Sequence, residues 1–115
     1  MGQKMGTALI VDDNPLFNLI LCDMLEEIGF SVEAVTNKDE AQDALRTRAI
    51  DFLLTDLNID EQQAGLTIAR EALKQNEQIR VIVASGNPRP AELERHFQFL
   101  QKPFTAAQLE EAIRA

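Results

Sequence analysis

The chain has 115 residues, an ordinary hydrophobic content of 45% and a formal net charge of −8 at pH 7. This length suits one compact domain and is too short for two. The acidic balance argues against direct binding of nucleic acid, because a phosphate backbone selects basic surfaces. The longest apolar run is far shorter than the roughly 18 residues of a membrane-spanning helix, so the expected partners are proteins or metal ions.

The start of the chain and its single cysteine predict the domain boundary and the location. Residues 1–6 lack the apolar core of a signal peptide, which predicts a short N-terminal tail followed by one domain at residues 7–115. Cys22 is the only cysteine. An internal disulfide is therefore impossible, and a reducing, cytoplasmic location is expected.

Apolar runs and helical periodicities alternate along the chain. Strands are predicted at residues 7–11, 31–36, 51–55, 80–84 and 99–101. Capping signals predict helices after Asn14, Asn37 and Thr105, and apolar spacing predicts another helix from Leu66 to about Gln75. Strands that alternate with helices pair in parallel through right-handed crossovers, which predicts a three-layer α/β/α sandwich.

The second helix and one further helix, between the fourth and fifth strands, carry more specific expectations. Asn37 and Glu40 have the spacing of a reciprocal capping box. Between the fourth and fifth strands the only helical candidate runs from Pro90 to about Phe97, where Leu93 and Phe97 are four residues apart. A helix of that length has only about two turns, so the fourth helix is predicted to be short.

The predicted strands end in polar residues, and the third strand does so most abruptly. Its sequence FLLTD is a nearly unbroken apolar run that stops at Asp56, as expected for a strand buried on both faces with a charge at its exposed end. The other strands end at Asp12 and Asp13, at Ser85 and, more weakly, at Lys102. Parallel strands share one carboxyl edge, where open α/β sheets bind ligands, so these side chains are expected to meet there.

This set of side chains suits phosphoryl transfer. Asp12, Asp13 and Asp56 repel one another unless a hard cation such as Mg²⁺ lies among their oxygens. Lys102 offers a positive charge to a phosphoryl oxygen and Ser85 a directed hydrogen bond, while one carboxylate attacks phosphorus. Each feature alone has an ordinary structural explanation as a cap, turn or loop residue. Their conjunction at successive strand ends predicts an aspartyl phosphate as the product.

In this combination the sequence resembles the receiver domains of two-component response regulators, the family of the chemotaxis regulator, from about Thr7 to Arg114. The resemblance implies a flavodoxin-like (βα)5 fold with strand order 2-1-3-4-5. It implies that Asp56 is the phosphoacceptor. It also implies that Mg²⁺ or Mn²⁺ is held by Asp12, Asp13, Asp56 and the main-chain carbonyl of Asn58.

The resemblance extends to the switch residues, the donor and the output. It implies that Lys102 binds the phosphate, that the Lys102–Pro103 peptide is cis, and that Ser85 and Phe99 form the conformational switch. The donor would be a phosphohistidine on a sensor histidine kinase or a phosphotransfer protein, with acetyl phosphate as a small substitute. The domain would be a monomer or weak dimer that signals. It would not be an enzyme beyond its own Mg²⁺-dependent phosphorylation and dephosphorylation.

The sequence departs from the family pattern at two places. The residues after Asp56 lack the Met-Pro pair that is frequent in the family, and the path to Gly65 is slightly longer. The short fourth helix predicts an altered output surface. Phe99 has no hydroxyl group, so its burial should be favoured even without phosphate. We therefore expect a modest conformational change, confined to Phe99 and the loops after Asp56 and Ser85.

One alternative function fits the pattern and two others do not. A receiver that serves as a phosphate sink, or that binds its kinase without onward signalling, needs the same site. A metal-dependent phosphatase usually has a second acid two residues after the nucleophile, but that position is Asn58, so turnover of external phosphoesters is not expected. A nucleotide-binding protein needs a Gly-rich loop, whereas the first strand here leads into the acidic sequence VDDNP.

Overall fold

The computed structural model describes residues 5–115, which form five strands and four α-helices. In chain order these are β1 (Gly6–Val11), α1 (Pro15–Ile28), β2 (Phe30–Val35), α2 (Lys38–Thr47), β3 (Phe52–Asp56), α3 (Ala64–Gln75), β4 (Arg80–Ser85), β5 (Gln98–Gln101) and α4 (Ala106–Arg114). Most of the predicted tail, residues 1–4, lies outside the described residues, and Gly6 already belongs to β1. Within residues 5–115 no helix is long and apolar enough to cross a membrane.

The sheet is parallel throughout, with strand order β2-β1-β3-β4-β5. This confirms the predicted flavodoxin-like sandwich. Successive side chains of a strand point to opposite faces, so Leu9 and Leu53 pack in the core beneath α2 and α3. Ile10 and Leu54 pack in the second core, beneath α1 and α4. Burial on both faces explains why β1 and β3 read as continuous apolar runs.

Most of the predicted helix ends are confirmed. The Asn14 side chain accepts hydrogen bonds from the Leu16 and Phe17 amides at the start of α1, and Gly29 ends that helix with a φ of 122°. Thr105 and Gln108 form a full capping box at the start of α4.

The capping box predicted at α2 is only half formed. Asn37 accepts a hydrogen bond of 2.8 Å from the Glu40 amide. The Glu40 carboxylate, however, accepts from the amide and hydroxyl of Thr36, at 3.1 and 3.3 Å, where it meets two donors instead of one. The reciprocal bond to the amide of Asn37 is therefore replaced by a bond one residue earlier.

The short helix predicted between β4 and β5 is wrong, because residues 86–97 form turns and no helix. Pro88 and Pro90 disfavour a helical conformation at the residues before them, Asn87 and Arg89, and the Arg89 side chain bonds to the Glu94 and Phe97 carbonyls. Leu93 and Phe97 are nevertheless buried in the core, as their spacing predicted. The amides of Leu93 and Phe97 bond to carbonyls three residues earlier, so both side chains point inward from consecutive turns.

Candidate functional site

The carboxyl ends of four strands meet at one edge of the sheet. The Leu57 amide, just after β3, donates to the Ala84 carbonyl of β4 at 2.8 Å. The Lys102 amide, just after β5, donates to the Ser85 carbonyl of β4, also at 2.8 Å. Val11 of β1 is in register with Thr55 of β3. The polar residues that end these strands therefore share one edge, as the sequence predicted.

Three carboxylates converge at this edge. One oxygen each from Asp12, Asp13 and Asp56 lie within 4.8 Å of one another. Asp12 is buried, Asp56 is partly buried and Asp13 is exposed, so the cluster opens toward solvent on the Asp13 side. An all-oxygen donor set with an open side fits Mg²⁺ or Mn²⁺, since hard cations prefer carboxylate ligands and keep several waters.

Lys102 lies between two of these carboxylates. Its Nζ is 2.7 Å from Asp12 Oδ2 and 3.4 Å from Asp56 Oδ2. It also lies 4.8 Å from the centre of the Phe17 ring, which packs edge-on against Phe104. Two carboxylates and an aromatic face thus orient the ammonium group. This contact of Phe17 was not predicted from the sequence.

Asp56 carries an electrostatic cost in the absence of a cation. Burial raises the pKa of its carboxyl group, the Lys102 ammonium lowers that pKa, and the Asp12 carboxylate raises it again, for a net increase. The Asn58 amide donates a weak hydrogen bond of 3.3 Å to Asp56 Oδ1. A divalent cation at this point would relieve the cost of the charged form.

Ser85 and Phe99, the predicted switch residues, are in different surroundings. Ser85 is buried, and its Oγ accepts a hydrogen bond of 3.1 Å from the Asn87 amide. Phe99 is only partly buried against the core beneath α2 and α3. Part of its ring faces an open groove lined by Arg95, His96 and neighbouring residues, because no helix covers β5 on this side. The Lys102–Pro103 peptide is cis.

The loop after Asp56 contains buried apolar residues beside its polar ones. Leu57 and Ile59 are buried, and the Gly65 amide donates to the Leu57 carbonyl at 2.8 Å. A Cβ on Gly65 would overlap the main-chain carbonyl of Asp56. Glycine is therefore required for α3 to approach the end of β3 this closely.

The same loop contacts two other parts of the molecule. Asp60, with a φ of 65°, accepts a hydrogen bond of 2.8 Å from the Lys38 amide at the start of α2. Gln63, with a φ of 62°, donates from its side chain to Glu92 at 2.7 Å. The backbone next to the candidate site is thereby connected to α2 and to residues 86–97.

Sequence reasoning missed one buried polar residue beside the acidic cluster. Asn18 lies in α1, and its Nδ2 donates to the Asp12 carbonyl at 3.0 Å. A signal for it was available, because Asn18 lies three and seven residues before Leu21 and Leu25, which are both buried. A polar residue in the apolar stripe of a helix usually has a specific hydrogen-bonding role.

Comparisons with known proteins agree with this geometry. The response regulator receiver domain family matches residues 8–114. The transcriptional regulatory protein CpxR of Escherichia coli K12 is 32% identical over 118 residues, which cover 96% of this chain and 49% of CpxR. The chain thus spans about half the length of the curated relatives it matches.

Solved structures resemble the whole fold. A response regulator receiver protein from Sinorhizobium medicae has a TM-score of 0.86 at 29% identity, covering 94% of this chain and 90% of that one. A CheY-like receiver domain from Methylobacillus flagellatus has a TM-score of 0.84 at 27% identity, covering 96% and 98%. The regulator TrrA from Thermotoga maritima, solved with Mg²⁺ and beryllofluoride, has the same fold, with a TM-score of 0.84 at 23% identity, covering 96% and 97%.

Proposed function

The chain belongs to the response regulator receiver domain family of two-component signalling, and on that basis we propose that Asp56 is its phosphoacceptor. Receiver domains accept phosphate from histidine kinases or phosphotransfer proteins and generally act in signalling. The observation that carries the proposal is the position of the Asp56 carboxylate at the end of the central strand. Asp12 and Asp13 lie within 4.8 Å of it, and Lys102 Nζ lies 3.4 Å away.

The proposed reaction is a phosphoryl transfer to the Asp56 carboxylate. A carboxylate oxygen attacks phosphorus on a phosphohistidine of the donor, and the new O–P bond forms as the P–N bond breaks. The donor imidazole keeps the bonding electron pair, and an aspartyl phosphate remains on this chain. The Lys102 ammonium would stabilise the negative charge on the phosphoryl oxygens during transfer.

The proposed ligands of Mg²⁺ or Mn²⁺ are the carboxylates of Asp12, Asp13 and Asp56 and the main-chain carbonyl of Asn58. When bound, the cation supplies positive charge beside the carboxylates and the incoming phosphoryl oxygens. The hydrogen bonding supports unequal roles. Both Asp12 oxygens already have partners, Asn14 and Lys102, whereas within residues 5–115 the Asp13 carboxylate has no hydrogen bond or ion pair. Both Asp56 oxygens also have contacts, with the Asn58 amide and Lys102, but these are longer, at 3.3 and 3.4 Å. We therefore expect Asp13 and Asp56 to contribute more to metal affinity than Asp12.

The proposed response begins at Ser85. Its hydroxyl would turn from the Asn87 amide toward the phosphoryl group, and Phe99 would complete its burial as Ser85 moves. Lys102 would hold the phosphate from the other side. Residues 86–97 are turns, so the conformational change would alter a surface that has no helix between β4 and β5. Family membership favours this signalling role over a phosphate sink.

The proposed donor is a sensor histidine kinase or a histidine phosphotransfer protein. Leu16, Leu19 and Ile20 of α1 are apolar yet 67%, 65% and 45% exposed. They lie on the helix whose cap, Asn14, bonds directly to Asp12. A donor that brings a phosphohistidine to this edge would cover these side chains, whose exposure in a protein surface is typical of an interaction site. Apart from this contact with the donor, we expect the protein to be a monomer or a weak dimer.

We expect the receiver domain to span residues 7–115 and to work in the cytoplasm. Its only chemistry would be its own Mg²⁺-dependent phosphorylation and dephosphorylation. Asn58, which lies where a phosphatase would have its second acid, supports this restriction.

The proposal is tested by treating the wild type, Asp56→Asn and Asp39→Asn with acetyl phosphate and Mg²⁺. Asp39 is an exposed acid of α2 outside the cluster, so its variant matches the charge change of Asp56→Asn. Intact-protein mass spectrometry should detect one added phosphoryl group on the wild type and on Asp39→Asn, and none on Asp56→Asn. Equal labelling of all three proteins would sink the assignment of Asp56.

A further inference from the structure

Asn18 is a buried polar side chain whose hydrogen bonding is incomplete. It is 5% exposed. Its Nδ2 donates to the Asp12 carbonyl at 3.0 Å and lies 3.4 Å from the Val35 carbonyl. Its Oδ1 is buried without a hydrogen-bond partner among the described residues. Rotating the amide by 180° would set Oδ1 against the Asp12 carbonyl, so the two carbonyls determine its orientation.

The cost of this arrangement points to a role beyond packing. A buried acceptor without a partner is unfavourable. An apolar residue such as leucine has about the same size and would pack with Leu21 and Leu25 without that cost. The side-chain amide therefore contributes something that an apolar side chain lacks, and within residues 5–115 it donates only to main-chain carbonyls at the ends of β1 and β2.

The contact with Asp12 orients a peptide plane. The Asp12 amide donates to the Val35 carbonyl at 3.2 Å, and the Asp12 carbonyl accepts from Asn18. Hydrogen bonds therefore fix both main-chain polar groups of Asp12. The Asp12 carbonyl belongs to the peptide that leads into Asp13. Because a peptide unit is planar, holding its carbonyl also sets the direction in which the Asp13 backbone continues.

Asp13 depends on this contact more than Asp12 does. The Asp12 carboxylate has its own partners in the Asn14 amide and Lys102 Nζ, at 2.9 and 2.7 Å. The Asp13 side chain is exposed and has no such partners within residues 5–115. The peptide before Asp13 is held by Asn18 and the peptide after it by the bond from the Asn14 amide to Asp12, so Asn18 supplies one of the two main-chain constraints that aim Asp13 toward Asp56.

We infer that Asn18 is a positioning residue that presents Asp13 to the divalent cation through the Asp12–Asp13 peptide. This inference rests on the proposed function of the acidic cluster. Groups that orient metal ligands commonly change metal affinity by about 10–100-fold when they are removed.

The test compares Asn18→Leu with a matched control, Asn76→Leu. Asn76 makes a similar contact, from Nδ2 to the Ile50 carbonyl at 3.3 Å, but it follows α3, before β4 begins, and so lies away from the acidic cluster. Mg²⁺ affinity is measured by calorimetry or by amide shift titration. We expect Mg²⁺ affinity about 10-fold weaker in Asn18→Leu and unchanged affinity in Asn76→Leu.

A second readout needs no metal. Amide order parameters of Asp13 and Asn14, measured in EDTA, should fall in Asn18→Leu and remain at the wild-type value in Asn76→Leu. If Asn18→Leu does not fold, the same measurements apply to Asn18→Ser, whose hydroxyl is too short to take over the contact with Asp12. Wild-type Mg²⁺ affinity and wild-type order at Asp13 in the folded variant would overturn the inference. Absence of Mg²⁺ binding by the wild type would instead overturn the proposed function.

Discussion

The two connections that leave β3 and β4 start from the same edge of the sheet but are built differently. Residues 57–63 lead into α3, whereas residues 86–97 reach β5 without any helix. The first connection is specified mainly by its own backbone, with Gly65 against Asp56 and left-handed conformations at Asp60 and Gln63. The second is held mainly by two buried side chains, Leu93 and Phe97.

The connection after β3 has a geometry that suits a reactive site. Left-handed conformations at residues other than glycine are uncommon and cost free energy, so the surrounding contacts must maintain them. Asp60 caps the start of α2, and Gln63 bonds to Asn58 and to Glu92. These contacts connect the backbone beside Asp56 to α2 and to residues 86–97.

The connection after β4 shows that a core position can be filled without a helix. Arg89 donates to the carbonyls of Glu94 and Phe97, at 2.9 and 3.1 Å, which satisfies groups that a helix would pair internally. Arg70 forms a two-bond ion pair with Glu94 on the surface. Such exposed pairs add little stability, so burial of Leu93 and Phe97 should account for most of the order here.

The largest effect is expected for Phe97→Ala, which removes the main anchor of the connection after β4. Phe97 is 2% exposed, and truncating a buried phenylalanine typically lowers the free energy of unfolding by about 3–5 kcal/mol. Phe99→Ala, at a partly buried ring, is the control and should cost less. Urea unfolding measures both, and equal losses would show that Phe97 is not the anchor. Mg²⁺ affinity of the folded Phe97→Ala protein should match the wild type.

The second largest effect is expected for Lys102→Ala, which should change the rate of phosphorylation more than the stability. Lys102→Ala removes the ammonium group beside Asp56 and should slow phosphorylation by acetyl phosphate by about 100-fold, as removal of one charge-stabilising donor typically does. At saturating Mg²⁺ its free energy of unfolding should change by less than about 1 kcal/mol, since the cation supplies charge to the same carboxylates. Rapid labelling of Lys102→Ala, followed by mass spectrometry over time, would contradict the role of this lysine.

The smallest effect is expected for Asp56→Asn, which should stabilise the metal-free protein although it removes the proposed phosphoacceptor. Burial raises the pKa of the Asp56 carboxyl group in the folded protein, so in the unfolded chain the charged form is favoured more strongly. The charge of Asp56 therefore destabilises the metal-free protein at neutral pH. This destabilisation begins to shrink as the pH falls below the pKa of the folded state, and it is gone once the pH is below the ordinary pKa of aspartate. Asp56→Asn should raise the free energy of unfolding by about 0.5–2 kcal/mol in EDTA at pH 7.

The pH dependence provides the check on this last prediction. The advantage of Asp56→Asn over the wild type should shrink as the pH is lowered and should be largest at neutral pH. Thermal unfolding of both proteins across this range measures the difference, with Asp39→Asn as the exposed control. A lower stability of Asp56→Asn at pH 7 would show that the ion pair with Lys102 outweighs the cost of burying the Asp56 charge.

Local pattern alone determined the sheet and the set of strand-end side chains. Burial on both faces requires the continuous apolar runs of β1 and β3. The amino-acid sequence itself places a polar residue directly after each run. Parallel pairing then brings Asp12, Asp56 and Lys102 to one edge. Capping residues such as Thr105 likewise act within a few positions of the helix they start, so a short window of sequence contains the whole signal.

Tertiary structure decided what depends on partners distant in the chain. Spacing identified Leu93 and Phe97 as buried but could not exclude a helix, because the turns depend on Pro88, Pro90 and the Arg89 side chain acting together. Asn18 contacts the Val35 carbonyl 17 residues away, and Phe17 contacts Lys102 at the far end of the chain. Such contacts form only when the fold brings distant segments together, and no local periodicity encodes them.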